Sequence, residues 1–340
     1  MKKLLNTLYV TSENAYLSLD GENVIISRED MPNFRMPLCN LEEIVCFNYQ
    51  GASPALLGKC MNDNISVSFI SSNGRFLGKV IGKVKGNVFT RVAQIKIFEN
   101  EEEKFRLIQN TIVAKLTNIK YLLSRSLRDY PEIDEDKIIS ILISKIKEKS
   151  KQIYSIQNVD ILRGIEGDMA REYFGVFNRL LRNKNFTFNG RSKRPPLDEI
   201  NACLSFIYTL QSNSIASALE SAGIDAYIGF YHTKRAGRVS LALDVVEEFR
   251  AIVDRFVITV FNLKQLNKSD FIYEIGGSVL LNNDGRRKIL KLWQDKKKEK
   301  IYHYVLKQNI QLGVLPFVQA NLMGKFLRGE MDEYYPFLWK

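Results

Sequence analysis

The chain has 340 residues, more than the roughly 100–200 of a typical single domain, so its length predicts two domains. With 45% apolar and 26% charged residues, it has the composition of a globular protein with a hydrophobic core. No apolar run approaches the ~20 residues of a membrane-spanning helix, and polar residues interrupt the N-terminus too early for a signal peptide. The four cysteines form no Cys-x-x-Cys pair, which predicts reduced thiols in a cytoplasmic protein.

Positive charge is concentrated in the second part of the chain. Residues 1–85 contain nine Lys and Arg against eight Asp and Glu, a net charge of +1. Residues 86–340 contain 40 against 30, a net charge of +10. This asymmetry is typical of a protein whose second part contacts a polyanion such as nucleic acid, although an inert basic surface has the same composition.

The first predicted elements, in chain order, are short strands. Runs with strand character occur at 8–10, 15–19, 23–27, 43–49, 65–70 and 75–81, and turn residues such as Asp20 and Gly21 separate them. One short helix is predicted at 53–61. We expect a small β-rich domain over residues 1–86, followed by a linker at 87–99.

From Asn100 onward the pattern becomes helical. Asn100 and Glu103 have the spacing of a capping box, and apolar residues then recur every three or four positions as far as Leu127, before Pro131. Further helices are predicted at 135–150, 159–182, 198–222, 241–263, 285–306 and 315–328. The lysine-rich stretch 296–300 is interpreted as the solvated face of one of them. The fold class is therefore α+β, with an all-helical domain over residues 100–340.

Two histidines and a pair of carboxylates are the first candidates for chemistry. His303 lies in a predicted helix and is interpreted as structural. His232 lies in a Gly- and Arg-rich loop, 229–238, just before a predicted helix that carries Asp244 and Glu247. Residues three apart share a helix face, so these carboxylates repel each other and cost stability unless something between them offsets their charge. A metal ion would serve, as would Arg250 or water.

Glu166 is the third candidate, because it lies at the edge of an apolar helix stripe and between two glycines. Gly164 and Gly167 leave room for a backbone or a phosphate to approach. Oxygen and imidazole ligands suit Mg²⁺ or Mn²⁺, and the absence of an HExxH motif or a Cys/His cluster argues against zinc. Such an ion stabilises the attacking and departing oxygens in phosphodiester chemistry.

Basic residues follow both candidate segments and are predicted to hold a DNA backbone. Between Arg179 and Pro196 there is no acidic residue, and Phe186 and Phe188 lie among the cations, a pattern that suits backbone contact and stacking on splayed bases. A flexible basic loop has the same pattern. The predicted DNA-binding residues are Arg179, Arg182, Lys184, Arg191, Lys193, Arg194, Lys234, Arg235 and Arg238.

Three segments, 164–167, 223–232 and 240–250, resemble the endonuclease/integrase family of CRISPR adaptation, the first-numbered of the CRISPR-associated proteins. The N-terminal segments 8–27, 51–55 and 74–77 are also similar to it, so the resemblance covers nearly the whole chain. Among its members, those that accompany type I-C systems look most similar. The resemblance implies that Glu166, His232 and Glu247 bind the catalytic metal. It also implies that Asp244 is a catalytic residue near the metal with a supporting role.

The resemblance also implies what the protein binds and does. Members of the family form homodimers through the β-domain, and two dimers join a small ferredoxin-like second protein in a heterohexamer. The complex captures a short double-stranded prespacer, and each 3′-hydroxyl attacks a phosphodiester at the CRISPR repeat. Two alternatives remain open at this point: a structure-specific repair nuclease with the same site, and a non-catalytic nucleic-acid-binding module.

Overall fold

The N-terminal part of the chain forms two small sheets and one helix. The computed structural model describes residues 6–12, 14–28, 31–47, 51–71, 76–80, 82, 88–232 and 235–339. Its first elements are β1 (Asn6–Val10), β2 (Tyr16–Asp20), β3 (Asn23–Arg28), β4 (Met31–Pro37), β5 (Leu41–Cys46), α1 (Pro54–Asn62), β6 (Ser66–Ile70) and β7 (Phe76–Val80). The β-rich character predicted for this part is confirmed. Strand β4 was not predicted; its residues are largely exposed and include two prolines.

The two sheets enclose a core of their own. One sheet has the order β1-β5-β6-β7, with β1, β5 and β6 parallel and β7 antiparallel, and the other is the antiparallel meander β2-β3-β4. Alternating residues such as Val24 and Ile26 of β3 are buried. Helix α1 begins where the Ser53 side chain accepts a hydrogen bond from the Leu56 N–H and Pro54 occupies the first turn.

The remaining elements are mostly helical, which confirms the predicted fold class. They are α2 (Val88–Glu99), α3 (Glu101–Asp129), α4 (Ile138–Gln152), α5 (Val159–Val176), α6 (Glu199–Ser221), α7 (Ser240–Val246), α8 (Arg250–Asn262), β8 (Phe271–Tyr273), β9 (Val279–Leu281), α9 (Asn283–Lys298), β10 (Lys300–His303), β11 (Gln308–Gln311) and α10 (Leu315–Leu327).

Helix α3 is the long central helix, and Asn100 is its N-cap, as predicted, but the Asn100 N–H donates to the Lys96 and Ile97 carbonyls, so only half of the predicted capping box is formed. The Asn100 side chain accepts hydrogen bonds from the backbone N–H groups of Glu102 and Glu103, at 3.0 and 3.2 Å. Three glutamates in the first turn favour the positive end of the helix dipole. The apolar stripe of α3 is buried, and α3 contacts α4, α5, α8 and the 3-10 turn between α7 and α8.

Several sequence predictions are wrong in this part. The predicted linker 87–99 contains helix α2, and Gln94 of that helix donates hydrogen bonds to the carbonyls of Asp225 and Ile228. The helix predicted at 285–306 ends at Lys298 and continues as the β10–β11 hairpin, so the domain is not all-helical. The helix predicted at 241–263 is interrupted by a 3-10 turn, Glu247–Phe249.

Polar contacts join the N-terminal sheets to the helical part. The buried Lys297 ammonium of α9 donates to the Thr7 hydroxyl at 2.8 Å, and the hydroxyls of Ser66 and Ser217 are 3.1 Å apart. The rings of Phe47 and Phe206 stack at 5.8 Å. These contacts fix the sheets against α6 and α9. Among the helices in the described ranges, none is long and apolar enough to cross a membrane.

Candidate active site

Glu166, His232 and Glu247 line one cavity of about 340 Å³. Glu166 extends from the middle of α5, His232 from the loop before α7, and Glu247 from the 3-10 turn between α7 and α8. The chain thus brings together three side chains that the sequence places 66 and 15 positions apart. Their shared cavity is the central feature of the site.

His232 is held in place by Asp244. One Asp244 oxygen is 2.6 Å from His232 Nδ1 and accepts the His232 backbone N–H at 2.8 Å. The other accepts the N–H groups of Phe230 and Tyr231, at 2.7 and 3.0 Å. Burial raises the pKa of Asp244, against the lowering effect of the His232 hydrogen bond. The contact to Nδ1 leaves Nε2 as the ring nitrogen available to a ligand.

Glu247 is buried between two cations. Its carboxylate accepts two hydrogen bonds from Arg250, both at 2.7 Å, and lies 2.6 Å from the Lys115 ammonium. Lys115 of α3 also pairs with Glu166. Burial alone would raise the pKa of Glu247, but the charges of Arg250 and Lys115 outweigh burial and hold that pKa well below its ordinary value. Glu247 is therefore held as an anion by its two neighbouring cations.

The side chains of the cavity are of the types that bind a divalent cation. In this structure, however, Glu166 and Glu247 are both paired with the Lys115 ammonium. Two carboxylates and an imidazole oriented by a third carboxylate are the groups that bind Mg²⁺ or Mn²⁺, with the histidine fixed through its other nitrogen. Within the described ranges, no three His, Cys, Asp or Glu side chains are grouped as a metal site. The Lys115 ammonium supplies the positive charge between Glu166 and Glu247. Metal ligation stays a prediction.

Glu248, next to Glu247, faces the opposite direction and anchors the segment 334–337. Its carboxylate accepts hydrogen bonds from the Tyr334 hydroxyl, the Gln319 amide and the Phe337 N–H, at 2.5, 2.7 and 2.7 Å. Burial raises its pKa to about 7, although these hydrogen bonds lower it. The 3-10 turn thus sends one glutamate into the cavity and the next into a buried polar network.

The predicted DNA-binding residues separate into three groups. Lys193 and Arg238 line the cavity, and neither forms an ion pair with another residue that the structure describes. Partial burial and the charges of Arg250 and Arg191 lower the pKa of Lys193. Lys184, Arg194 and Arg235 are exposed at other places on the surface, and Lys234 lies outside the described residues.

The third group has partners within the protein. Arg179 makes a two-point contact with Asp136, at 2.9 and 2.8 Å, and the Arg182 guanidinium lies 3.7 Å above the Tyr130 ring. Arg191 donates to the Asn201 and Ser205 side chains, at 2.7 and 3.1 Å. These contacts give Arg179, Arg182 and Arg191 structural roles that the sequence did not reveal.

Phe186 and Phe188 are buried, so the interpretation that they stack on splayed bases is wrong. Phe188 packs against Phe177 with ring centroids 4.7 Å apart, and Phe186 against Phe261 at 4.8 Å. His303 is structural, as predicted, because it is fully buried and its Nε2 lies 2.9 Å from the side-chain amide oxygen of Gln319. It lies in β10, however, and not in a helix.

Glycines lie close to two of the predicted ligands, Glu166 and His232. Gly164 and Gly167 lie within α5, and a Cβ added at either would meet no atom within 4 Å, so the helix surface beside Glu166 is open. A Cβ added at Gly229, in contrast, would clash with the Asp244 carboxylate and with the backbone at the start of α7. Sequence reasoning missed Gly229 and Lys115, although a lysine bordering the apolar stripe of α3 was the available signal for the latter.

Comparison with known proteins identifies the family of this chain. The model of a family described as CRISPR associated protein Cas1 matches residues 8–295. A CRISPR-associated endonuclease Cas1 of Chlorobaculum tepidum is 39% identical over 343 residues, and one of Rhodospirillum rubrum is 40% identical over 347, each covering 100% of both chains. The chain therefore belongs to the Cas1 family of CRISPR-associated endonucleases. The predicted family and its nuclease class are confirmed, whereas the type I-C assignment stays a prediction.

Solved structures share the fold at low sequence identity. A Cas1 protein from Thermotoga maritima superposes with a TM-score of 0.81 at 21% identity, covering 96% of this chain and 97% of that one. A casposase bound to its integration product gives a TM-score of 0.85 at 22% identity, covering 97% and 92%. Both likenesses establish the architecture of β-sheets followed by a helical part.

Proposed function

We propose that this protein is a metal-dependent DNA endonuclease and integrase that inserts short duplexes into a CRISPR array. The observation that carries the proposal is the single cavity lined by Glu166, His232 and Glu247 together with the cations Lys193 and Arg238. Carboxylates and an imidazole suit a divalent cation, and free ammonium and guanidinium groups suit phosphates. The cavity therefore combines possible metal ligands with cations that can bind phosphates, and phosphodiester chemistry requires both.

The proposed ion is Mg²⁺ or Mn²⁺, held by Glu166, His232 and Glu247, and when bound it would neutralise phosphate charge and stabilise the departing oxygen. Asp244 keeps the His232 ring oriented through Nδ1. Lys193 and Arg238 hold the DNA backbone, so that a 3′-hydroxyl and its target phosphate are aligned and the entropic cost of their meeting is reduced. The attacking oxygen bonds to phosphorus, the target strand leaves with a new 3′-hydroxyl, and no nucleotide cofactor is needed.

Names of structural neighbours agree with the proposed reaction and partner. One neighbour is a casposase bound to an integration product, and another, with a TM-score of 0.80, is a complex that contains Cas1 and Cas2. By analogy, we propose that this chain binds prespacer and repeat DNA and assembles with a small second CRISPR-associated protein into a heterohexamer. Both likenesses are below 25% identity and indicate the fold alone.

Self-association is proposed to use the N-terminal sheets. Residues 1–85 carry a net charge of only +1, and Tyr16, Met31 and Phe34 are exposed on β2 and β4. Apolar side chains on a nearly neutral surface suit a two-fold dimer better than a DNA contact. We expect light scattering to give a dimer that persists in 0.5 M salt. A monomer at micromolar concentration would contradict this prediction.

A strand-transfer assay tests the reaction. With the partner protein, a repeat-containing plasmid and Mg²⁺ or Mn²⁺, we expect joining of a short duplex that has 3′-hydroxyl ends. Dideoxy ends, Glu166→Ala and His232→Ala should each abolish joining, Glu247→Ala should be comparably severe, and Asp244→Asn milder. Asparagine keeps one acceptor oxygen, and loss of such a histidine-orienting contact typically costs about 10–100-fold in activity.

Two results would contradict the proposal and favour one of the alternatives. If blocked ends leave plasmid cutting intact and no joined product forms, the protein is a structure-specific repair nuclease. If neither cutting nor joining depends on His232, the protein binds nucleic acid without catalysis at this site.

A further inference from the structure

Lys115 occupies the position between the two carboxylates of the cavity. Its side chain is only 8% exposed, and its ammonium pairs with Glu166 and lies 2.6 Å from Glu247 Oε2. It comes from α3, whereas the carboxylates come from α5 and from the turn before α8. A cation that bridges Glu166 and Glu247 must therefore use the position that this ammonium holds.

The two carboxylates depend on Lys115 to different degrees. Glu247 has a second cation, because both of its oxygens accept hydrogen bonds from Arg250 at 2.7 Å. Glu166 forms no other ion pair within the part of the chain that the structure describes. If the ammonium moved away, Glu247 would keep a partner, whereas Glu166 would need a new cation.

We propose that Lys115 is a positioning residue that occupies the cation position in the metal-free protein, leaves it when a divalent ion enters, and then pairs with a DNA phosphate. This inference rests on the proposed function, because it concerns the same cavity and the same DNA. Its consequence is that metal and DNA bind cooperatively. The ion must displace a buried ammonium, and the displaced ammonium needs an anion.

The cavity offers the conditions for this exchange. Lys193 and Arg238 line it without carboxylate partners among the described residues, so the cavity already favours an entering phosphate. A buried cation without a partner is strongly unfavourable, so Lys115 would resist displacement until an anion arrives. Coupling between two ligands is reciprocal, and DNA is therefore expected to raise metal affinity by the factor by which metal raises DNA affinity.

The first test measures Mn²⁺ affinity by calorimetry without DNA. Lys115→Met removes the competing ammonium, and we expect affinity to increase by about tenfold, within the usual range of coupling between sites. Lys193→Met is the matched control, because it removes the same charge from the same cavity without touching Glu166. We expect it to change affinity by about threefold or less. Equal increases in the two variants would overturn the proposal.

The second measurement adds a short duplex. DNA is expected to increase the Mn²⁺ affinity of the wild-type protein more than that of Lys115→Met, since the variant has no ammonium to relocate. An equal increase in both proteins would overturn the coupling between metal and DNA.

A third measurement uses the unmodified chain, in case Lys115→Met does not fold. Reductive methylation followed by mass spectrometry reports the accessibility of Lys115, with the exposed Lys291 as internal reference. We expect Mn²⁺ to accelerate modification of Lys115 and DNA to slow it again. Unchanged modification on adding Mn²⁺ would show that the ammonium stays in place and would refute the proposal. None of these readouts requires strand transfer, so failure of the proposed reaction is distinguished from failure of this inference.

Discussion

Gly229 illustrates how one residue controls the geometry of the site. A Cβ at this position would lie 2.6 Å from the Asp244 carboxylate, 2.7 Å from the Ser240 carbonyl carbon and 2.8 Å from the Leu241 nitrogen. Two of these atoms belong to the backbone and cannot yield easily. The close approach allows Asp244 to reach the N–H groups before His232.

We therefore expect Gly229→Ala to destabilise the protein by about 1–3 kcal/mol, the usual cost of overpacking, and to impair cleavage because the His232 loop moves. Chemical denaturation and a cleavage assay check this. Gly175→Ala is the matched control, since a Cβ there meets nothing within 4 Å and alanine favours a helix by up to about 1 kcal/mol. Similar effects of both substitutions would contradict the prediction.

Glu248 is expected to make stability depend on pH. Its pKa is raised from 4.5 to about 7 by burial, so between these values the folded state binds more protons than the unfolded state. Stability then falls as pH rises through this window, by up to about 3 kcal/mol. Urea denaturation from pH 5 to 8 should show a flatter dependence for Glu248→Gln than for the wild type. An unchanged slope, equal to that of the exposed control Glu102→Gln, would contradict this.

At the residue scale, the sequence was most informative where the family resemblance was strong. Glu166, His232 and Glu247 were predicted from that resemblance and they line one cavity. Lys115 was not predicted, because a lysine beside an apolar stripe looks solvated until the position of α5 is known. Arg191 was assigned to DNA because it lies in a basic stretch interleaved with aromatic residues, and its inward hydrogen bonds arise from contacts that no local pattern encodes.

Among the elements, the 3-10 turn Glu247–Phe249 has the clearest effect on the site. It separates α7 from α8 and directs Glu247 and Glu248 to opposite sides. Apolar periodicity predicted one continuous helix at 241–263, since the turn shifts the pattern too little to interrupt it. The β10–β11 hairpin was missed for a related reason: Ile301, Tyr304 and Val305 have helical spacing, although β10 pairs with β11 just beyond them.

The segment 334–339 is predicted to stabilise the site through its contacts with Glu248 and Asn118. Tyr334 and Phe337 donate to Glu248, while Asn118 of α3 contacts the backbone of Phe337 and Trp339. Deleting residues 333–340 would leave buried polar groups without partners, and we expect a loss of at least about 3 kcal/mol in urea denaturation. Tyr334→Phe removes the hydroxyl that donates to Glu248 and accepts from the Gln319 side-chain amide, and it should cost about 1–3 kcal/mol. Equal stability of the deletion and the wild type would exclude this role.

For the whole molecule, the charge asymmetry predicts salt-dependent DNA binding. Cations that neutralise phosphates release counterions, so Lys193→Ala and Arg238→Ala should each reduce the slope of log K against log[salt] by roughly one. Arg179→Ala is the control, because its guanidinium is engaged by Asp136 and its loss should leave the slope unchanged. If the cavity variants keep the wild-type slope, DNA follows another path.

The contacts of Asn118 also bear on when the protein becomes competent during its synthesis. Its amide donates to the carbonyls of Glu248 and Phe337, which lie 130 and 219 positions further along the chain, both at 2.9 Å. Contacts between such distant positions form late, since a long loop must close first. A nascent chain on the ribosome therefore contains all three predicted ligands well before the contacts between Asn118 and the segment 334–339 can form. We expect refolding experiments to show cleavage activity returning together with the burial of Trp339, so that an unfinished nuclease does not act on the DNA of its own cell.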